Sequence, residues 1–230
     1  MVALKHSYRM LLADRVKPDL IAAVRASNPD STLSAALALL ERWDNNAAPE
    51  SRGAVLFDVW WRRMTPQGTP LDSVVAERWD AARPMATPRG LRDPVKAVEA
   101  FTWAVAETTR RFGAVDVAWG AVHRVRLGNV DVPVGGCASA LGCFRVLNFR
   151  NDPDGKRSAA SGDGWVIAVE FTDVPRAFSI LAYGQSPRPE SPHHSDQAAM
   201  FARGELKRVL FTDADVEAGT VRRYRPGARE

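Results

Sequence analysis

The hydrophobic period of this chain changes at Gly113, and the change limits the folds that it can adopt. Before Gly113, apolar residues recur every three or four positions, which indicates amphipathic helices. After it, apolar and polar residues alternate, first over 121–127, which indicates β-strands. Helices followed by antiparallel strands are typical of an α+β fold. We therefore expect a helical segment over 1–112 and a strand-rich segment with a C-terminal helix over 113–230, both parts of one larger domain.

Short polar motifs mark the ends of the expected helices. Asp30 or Ser31 is expected to cap one helix, because both side chains can accept a hydrogen bond from a first-turn amide. Asp93 followed by Pro94 opens a long helix, and Gly113 ends it. The other expected helical stretches are 1–24, 51–64, 71–79 and 213–217. Within the first of them, Pro18 is expected to start a second turn of helix.

The second half contains the expected strands. Alternation over 121–127 turns His123 and Val125 to one face. Residues 165–171 and 178–183 form the two clearest strands, joined as a hairpin. A turn is expected at 151–155, and the polar run that follows it to Gly164 reads as an exposed loop. Shorter strands are expected at 144–149 and 207–211, and the tail 222–230 is expected to be loose.

Composition excludes several classes of protein. The net charge is +4, but basic residues are interspersed with 27 acidic ones, which argues against nucleic-acid binding. No stretch reaches the roughly 18 apolar residues that span a bilayer. The first residues lack a charged start followed by an apolar core, so we expect no signal peptide on this chain. Cys137 and Cys143 lie six apart in a Gly-rich turn, and either a bridge or two partly buried thiols fits; we favour the thiols.

A stretch from Arg176 to Arg203 organises the C-terminal part. An apolar strand ends at Gly184, and a loop stiffened by three prolines follows. A helix comes next, with Ser195 as the expected N-cap and Asp196 in its positive first turn.

Several motifs resemble one family. Two of them lie near the C-terminus: GQS from Gly184 and SPHHSDQ from Ser191. An upstream block consists of WGAVHRVR from Trp119, then LGNVDVPVGG, then LGCFR from Leu141. A weaker block comprises LERWDN from Leu40 and SRGAVLF. In order and spacing these resemble the penicillin acylase family of N-terminal-nucleophile amidohydrolases, in the branch of acyl-homoserine lactone and aculeacin-type acylases.

The resemblance implies a four-layer αββα core of which this chain supplies the C-terminal portion. It implies hydrolysis of the amide bond of N-acyl compounds, namely acyl-homoserine lactones, lipopeptides such as aculeacin, or penicillins. The nucleophile is a Ser at the start of the large chain, with its own α-amino group as base. Met1 does not match that Ser, and the family's oxyanion Asn lies upstream of the matched blocks. We therefore expect the C-terminal part of a large chain, with no catalytic residue of its own.

Further expectations concern cofactors, partners and location; the partner polypeptide, the substrate and the location are those that the resemblance implies. No cofactor and no metal are expected. The expected partners are the N-terminal part of the acylase and an N-acyl substrate, with no nucleic acid. The expected location is periplasmic or secreted, with the export signal on the N-terminal part. The alternative is a non-catalytic structural or binding module, or an inactive truncated product.

Other candidate sites have simpler explanations. His193, His194 and Asp196 could bind a metal, but adjacent side chains diverge, so we expect Asp196 and Gln197 to bond backbone amides and order the loop. His123 could pair with Cys137 or Cys143 as base and nucleophile, although a core histidine fits better.

Three further sequence features remain. Gly136–Cys137 could be a self-processing junction that exposes an N-terminal thiol, but most of the core that follows such a junction would be absent. The run 135–142 lacks the ending of a phosphate loop and is expected to be a turn. We expect core packing, rather than an acyl cleft, for five tryptophans: Trp43, Trp60, Trp61, Trp79 and Trp103.

Overall fold

A computed structural model describes residues 2–225 and 227, and it confirms the α+β order of helices first and strands second. The helices are α1 (Val2–Lys5), α2 (Leu11–Ala26), α3 (Ser31–Arg42), α4 (Ala54–Met64), α5 (Pro94–Phe112), α6 (Trp119–Val122), α7 (Ala198–Arg203) and α8 (Asp213–Gly219). The strands are β1 (His123–Leu127), β2 (Val130–Pro133), β3 (Leu147–Asn151), β4 (Arg157–Gly162), β5 (Trp165–Glu170), β6 (Arg176–Leu181) and β7 (Lys207–Arg208).

The predicted caps are confirmed for two helices. The side chain of Asp30 accepts a hydrogen bond from the amide of Leu33 at the start of α3. Asp93 does the same for Lys96 in α5, which ends at Gly113 with a left-handed φ of 82°. The prediction that Pro18 starts a helical turn is wrong. It lies inside α2 on the exposed side, where water can solvate the carbonyl that its missing N–H leaves free.

Apolar faces of α2, α4 and α5 form the larger core. Phe57 and Trp60 on α4 are fully buried, as is Phe101 on α5. The Trp60 indole donates to the carbonyl of Ala97, 3.1 Å away, which satisfies its buried N–H. The contact joins the middle of α4 to the first turns of α5.

The helix expected over 71–79 is wrong. Only Leu71–Ser73 forms a 3₁₀ turn. Glu77 and Arg89 then exchange two backbone hydrogen bonds of 2.9 and 3.0 Å, which occupy the amide and carbonyl that a helix would need. Val74 and Val75 are buried as expected, but Trp79 is 60% exposed.

The strands form two sheets. One has the order β2-β1-β4-β3, with β1 and β4 parallel and the other neighbours antiparallel. The other has the order β5-β6-β7 and is antiparallel, which confirms the predicted hairpin. A smaller core lies between the sheets and α7, with Ile180 and Phe201 at its centre.

The polar run before Gly164 is not the exposed loop that we expected. A turn does form after Asp152, whose amide donates to the carbonyl of Lys156 at 2.8 Å. The next residues form β4, which pairs with β1 and β3 and buries Arg157 and Ser158. The strand exists because its polar side chains find buried partners elsewhere in the chain.

Cys137 and Cys143 form a disulfide, so the preference for free thiols is wrong. Gly142 adopts a left-handed φ of 83° and reverses the chain, which brings the two Cα atoms to 5.5 Å. An added Cβ at Gly142 would lie 2.8 Å from the Cβ of Leu11, so the turn packs directly on α2. The turn expected over 135–142 is therefore present, and a disulfide closes it.

The C-terminal region is irregular. β7 is shorter than the strand expected over 207–211, whereas α8 extends two residues past the predicted turn. Residues 222–225 of the predicted loose tail have no regular structure, and residues 226 and 228–230 lie outside the described residues. No helix within the described part of the chain is long and apolar enough to cross a membrane.

Candidate functional site

The loop after β6 is folded back on itself. Gly184 passes so close to the carbonyl of His193 that a Cβ there would lie 1.9 Å from the oxygen. The amide of Ser186 donates to the same carbonyl at 3.1 Å, and the amide of Gln197 donates to the carbonyl of Tyr183. The loop therefore closes at both ends and holds the start of α7 against the end of β6.

Polar side chains of this loop have partners in the loop itself and in the strand before it. The side chain of Gln197 accepts from the amide of Leu181 at 3.1 Å, as expected. Asp196 does not bond a backbone amide through its side chain as predicted, but pairs with the His193 ring at 2.9 Å. Ser195 is not the N-cap of α7; Gln197 occupies that position without a side-chain cap.

The two adjacent histidines point apart. His193 faces Asp196, whereas Nδ1 of His194 lies 3.2 Å from the carbonyl of Ser186. Among the described residues, no group of three or more His, Cys, Asp or Glu side chains could hold a metal ion.

A cavity of about 560 Å³ lies between this loop and the first sheet. One side is formed by 125–127 of β1 and by 159–164, which comprise the end of β4 and the two residues after it. The other side is formed by 182–187, His194 and Phe201. Most of the lining side chains are apolar or small, so the cavity suits an uncharged occupant better than an ion.

A buried polar cluster joins the two halves of the chain. Asp58 on α4 accepts a hydrogen bond of 2.5 Å from Arg157 on β4, and their side chains are 2% and 4% exposed. Arg62, one helical turn after Asp58, donates to the same carboxylate at 2.8 Å. Arg157 also lies 3.2 Å from Nε2 of His123 on β1. The cluster thus links α4 to two strands.

Electrostatics fix the charge of each member of the cluster. Burial alone would raise the pKa of Asp58, but the neighbouring Arg157 and Arg62 outweigh it and lower the pKa to about 2. Burial and then the charge of Arg157 lower the pKa of His123 to about 3. At neutral pH the cluster therefore contains an ionised carboxylate, two guanidinium groups and a neutral imidazole.

His123 has both ring nitrogens engaged. Nδ1 lies 3.1 Å from the carbonyl of Trp119, and since a carbonyl can only accept, this nitrogen carries the proton. Nε2 then accepts from Arg157. The ring stacks on Trp119 with centroids 3.5 Å apart, and Phe149 makes a T-shaped contact with it at 4.6 Å between centroids. The interpretation of His123 as a satisfied core histidine is confirmed.

Both thiol-based alternatives are excluded. No cysteine of the described residues is free, because Cys137 and Cys143 are bonded to each other. Cys137 is also fully buried, so it cannot act as an exposed N-terminal nucleophile. The sulfur atoms support the fold rather than a reaction.

Arg145 is a buried cation that the sequence did not single out. It donates to the phenol of Tyr8 at 3.2 Å and to the carbonyl of Phe201 at the end of α7. Its guanidinium lies over both rings, 5.7 Å from that of Tyr8 and 4.6 Å from that of Phe201. Burial lowers the pKa of Arg145. Its place in the LGCFR motif was the only signal in the sequence.

Core packing holds for three of the five tryptophans. Trp43, Trp60 and Trp61 are buried in the helical core. Trp79 and Trp103 are exposed instead, the latter beneath the guanidinium of Arg63 at 5.0 Å.

Comparisons with known proteins agree on one family. The family model for penicillin amidase matches residues 1–218. The chain is 32% identical over 219 residues to the acyl-homoserine lactone acylase PvdQ of Pseudomonas fluorescens, which covers 91% of this chain and 28% of the relative. It is 28% identical over 238 residues to the aculeacin-A acylase of Actinoplanes utahensis, covering 96% of this chain and 28% of that protein.

One solved structure that this chain resembles is the thermostable penicillin G acylase from Alcaligenes faecalis. The TM-score is 0.46 and the sequence identity is 18%, and the match covers 97% of this chain and 48% of that chain. The chain spans a little over a quarter of the length of the curated relatives that it matches. Because the family model covers nearly all of the sequence, the chain belongs to the penicillin amidase family.

Proposed function

We propose that this chain forms part of an amidohydrolase that cleaves the amide bond of N-acyl compounds. The observation that carries the proposal is the match of residues 1–218 to the penicillin amidase family, together with curated relatives that are named acylases. The substrate classes are N-acyl-homoserine lactones, lipopeptides of the aculeacin type and penicillins. The enzyme is a hydrolase of carbon–nitrogen bonds in linear amides.

The reaction is acyl transfer to an N-terminal serine, followed by hydrolysis. The serine oxygen attacks the amide carbonyl while its own α-amino group accepts the proton, the amine leaves, and water then releases the acid. We place this serine in polypeptide outside the present chain. A catalytic pair of His123 with Cys137 or Cys143 is excluded, because the disulfide uses both sulfur atoms and both ring nitrogens of His123 are hydrogen-bonded. No cofactor takes part.

The role of this chain is structural, and its exposed apolar strand supports that role. β5 lies at the edge of its sheet, and Trp165, Ile167 and Val169 on one face are 62%, 45% and 41% exposed. An open edge with apolar side chains is typical of a surface that another polypeptide covers. The observation favours association with the rest of an acylase over a self-sufficient module.

The proposed location is periplasmic or secreted. The disulfide between Cys137 and Cys143 supports it, since disulfides persist mainly in oxidising compartments.

An activity assay tests the proposal. The purified chain is assayed alone, then mixed with the part of the Pseudomonas fluorescens acylase that it does not match. The substrates are N-acyl-homoserine lactones, aculeacin A and a chromogenic amide of a penicillin side-chain acid. We expect turnover only in the mixture, and its loss when the partner's N-terminal serine is replaced by alanine. Turnover by the chain alone would contradict the proposed role, and a silent but assembled mixture would favour an inactive product.

A further inference from the structure

The segment between Glu77 and Arg89 carries an exposed apolar loop. The two residues exchange two backbone hydrogen bonds, which close the base of the segment. Residues 79–86, here called the apolar tip, include six apolar residues: Trp79, Ala81, Ala82, Pro84, Met85 and Ala86. Trp79 is 60% exposed and Met85 is 85% exposed. An exposed apolar patch of this kind marks a surface that binds a protein partner or a membrane.

Polar groups of the apolar tip are bonded within the segment. The amide of Asp80 donates to the hydroxyl of Thr87 at 2.9 Å, and that hydroxyl donates to the carbonyl of Arg83 at 2.9 Å. The amide of Ala86 donates to the same carbonyl at 3.0 Å. The guanidinium of Arg83 donates to the carboxylate of Asp80 at 3.3 Å and to that of Glu77. The apolar tip therefore uses much of its hydrogen-bonding capacity internally.

Arg15 on α2 binds the end of the apolar tip. Its guanidinium donates to the carbonyls of Thr87 at 2.7 Å, Met85 at 3.2 Å and Pro84 at 3.3 Å. These bonds satisfy three further main-chain groups. Among the described residues every partner of the guanidinium is a carbonyl, so no carboxylate balances the charge of Arg15.

A second unbalanced cation lies beside Met85. Arg89 forms no ion pair within the described part of the chain. Together with Arg15 and Met85 it lines a depression of about 210 Å³. Asp14 also lines the depression, but Arg9 already binds its carboxylate at 2.8 Å. The depression thus places two guanidinium groups, which bind phosphates well, next to an exposed apolar side chain.

These features fit a membrane surface better than a protein surface. Polar groups that are already bonded leave water at low cost, as entry into a bilayer requires. A protein interface carries about one hydrogen bond per 100–200 Å², whereas the apolar tip uses much of its capacity internally. Tryptophan is enriched where head groups meet hydrocarbon, and basic side chains are attracted to anionic lipids. The net charge of +4 acts in the same direction.

We propose that the apolar tip inserts into the interfacial region of a bilayer that contains anionic phospholipid. Trp79 and Met85 lie below the head groups, and Arg15 and Arg89 bind lipid phosphates. The inference goes beyond the proposed function, because it concerns attachment to a membrane and does not depend on amide hydrolysis.

Vesicle flotation of the full chain tests the insertion. The chain is mixed with phosphatidylcholine vesicles, with and without phosphatidylglycerol, at low and high salt. We expect binding to the anionic vesicles, weakened by high salt, and little binding to the neutral ones. Met85→Ser should weaken binding about tenfold because it removes apolar area that the bilayer buries. Arg89→Gln should weaken it about fivefold because it removes one positive charge.

Two variants elsewhere on the surface provide the matched controls. Phe171, between β5 and β6, is 87% exposed, so Phe171→Ser removes an apolar side chain as accessible as that of Met85. Arg188→Gln removes one positive charge from the loop after β6. Both controls should leave vesicle binding unchanged. Far-UV circular dichroism establishes that each variant is folded, and all four replaced side chains are exposed.

Brominated lipids locate the inserted tryptophan. They should quench the fluorescence of the bound chain, whereas Trp79→Phe should still bind and lose the quenching. The proposal is wrong if the chain does not float with anionic vesicles, if Phe171→Ser weakens binding as much as Met85→Ser, or if quenching persists in Trp79→Phe. Loss of flotation on adding the unmatched part of the Pseudomonas fluorescens acylase would also overturn it, and would assign the apolar tip to a protein interface.

Discussion

Replacing Asp58 by asparagine should strongly destabilise the fold. The carboxylate is the anion that balances Arg157, and both side chains are nearly inaccessible to water. Asparagine keeps the size of the side chain but removes its charge. The guanidinium of Arg157 would then remain buried with the neutral His123 beside it.

The structure sets the expected size of the effect. Removing one partner of a buried ion pair costs about 3–5 kcal/mol, because the other charge stays buried and uncompensated. Arg62 provides the matched control, since it binds the same carboxylate but its side chain is 53% exposed. Arg62→Gln should cost no more than about 1 kcal/mol, as is typical of a solvent-screened pair. Against a typical stability of about 5–15 kcal/mol, the difference is large enough to measure.

Urea unfolding at neutral pH, followed by tryptophan fluorescence and far-UV circular dichroism, measures both variants. Trp60 and Trp61 lie on the same helix as Asp58, so fluorescence reports on that helix directly. A double variant, Asp58→Leu with Arg157→Met, should recover most of the loss because no unpaired charge remains. If Asp58→Asn loses no more stability than Arg62→Gln, the assignment of this pair as the main link between α4 and β4 is wrong.

Three other predictions address the remaining parts of the fold. Since the pKa of His123 is lowered to about 3, the unfolded chain binds a proton below about pH 6.5 that the folded chain does not. Stability should therefore fall by about 1.4 kcal/mol per pH unit as the pH drops from 6.5 towards 3, and His123→Gln should remove that contribution in urea titrations at pH 7, 6, 5 and 4. Gly184→Ala should cost about 1–3 kcal/mol, because its methyl group would lie 1.9 Å from a carbonyl oxygen, whereas Gly164→Ala, with no atom within 4 Å, should be tolerated; equal thermal midpoints would refute this. Replacing Cys137 and Cys143 together by alanine should cost about 2 kcal/mol in urea unfolding from the lost six-residue loop closure, and no change would show that the bridge contributes nothing.

The sequence predicts those elements whose causes are local. Asp93, Pro94 and Gly113 identify the ends of α5 because a cap needs only its own first turn, and a left-handed C-terminal residue needs only a glycine. The alternation that placed His123 and Val125 on the buried face of β1 is local in the same sense. For such elements, the residues that determine the structure are close neighbours in the sequence, so a short window is enough to predict them.

Elements that depend on distant partners were missed. RSAASG, the sequence of β4, has the polarity of a loop, and it becomes a strand because Arg157 finds Asp58, 99 positions earlier in the chain. Pro18 was assigned to a helix start because its fixed φ suits a first helical position, yet it lies inside α2, where its exposed position makes the loss of a hydrogen bond tolerable. No pattern within a short window contains either fact.

In the candidate site, too, the sequence predicts the local features but not those that depend on distant residues. The loop motif near His193 was located from sequence, but the partners of Asp196 and Gln197 depend on how closely Gly184 approaches the returning chain. The cavity was not predicted at all. It arises where two strands from different hairpins begin to pair and then separate, and their separation is a property of the sheet rather than of either sequence.

Two buried polar links join the helical part to the strand-rich part. Asp58 on α4 holds Arg157 on β4, and Tyr8 near the N-terminus binds Arg145. Each link buries charge, so each is stable only when the partner from the other part is present. The helical part is therefore a support for the first sheet rather than an independent unit. It holds the paired ends of β1 and β4 in place, because Asp58 on α4 binds Arg157, which pairs with His123 at the start of both strands.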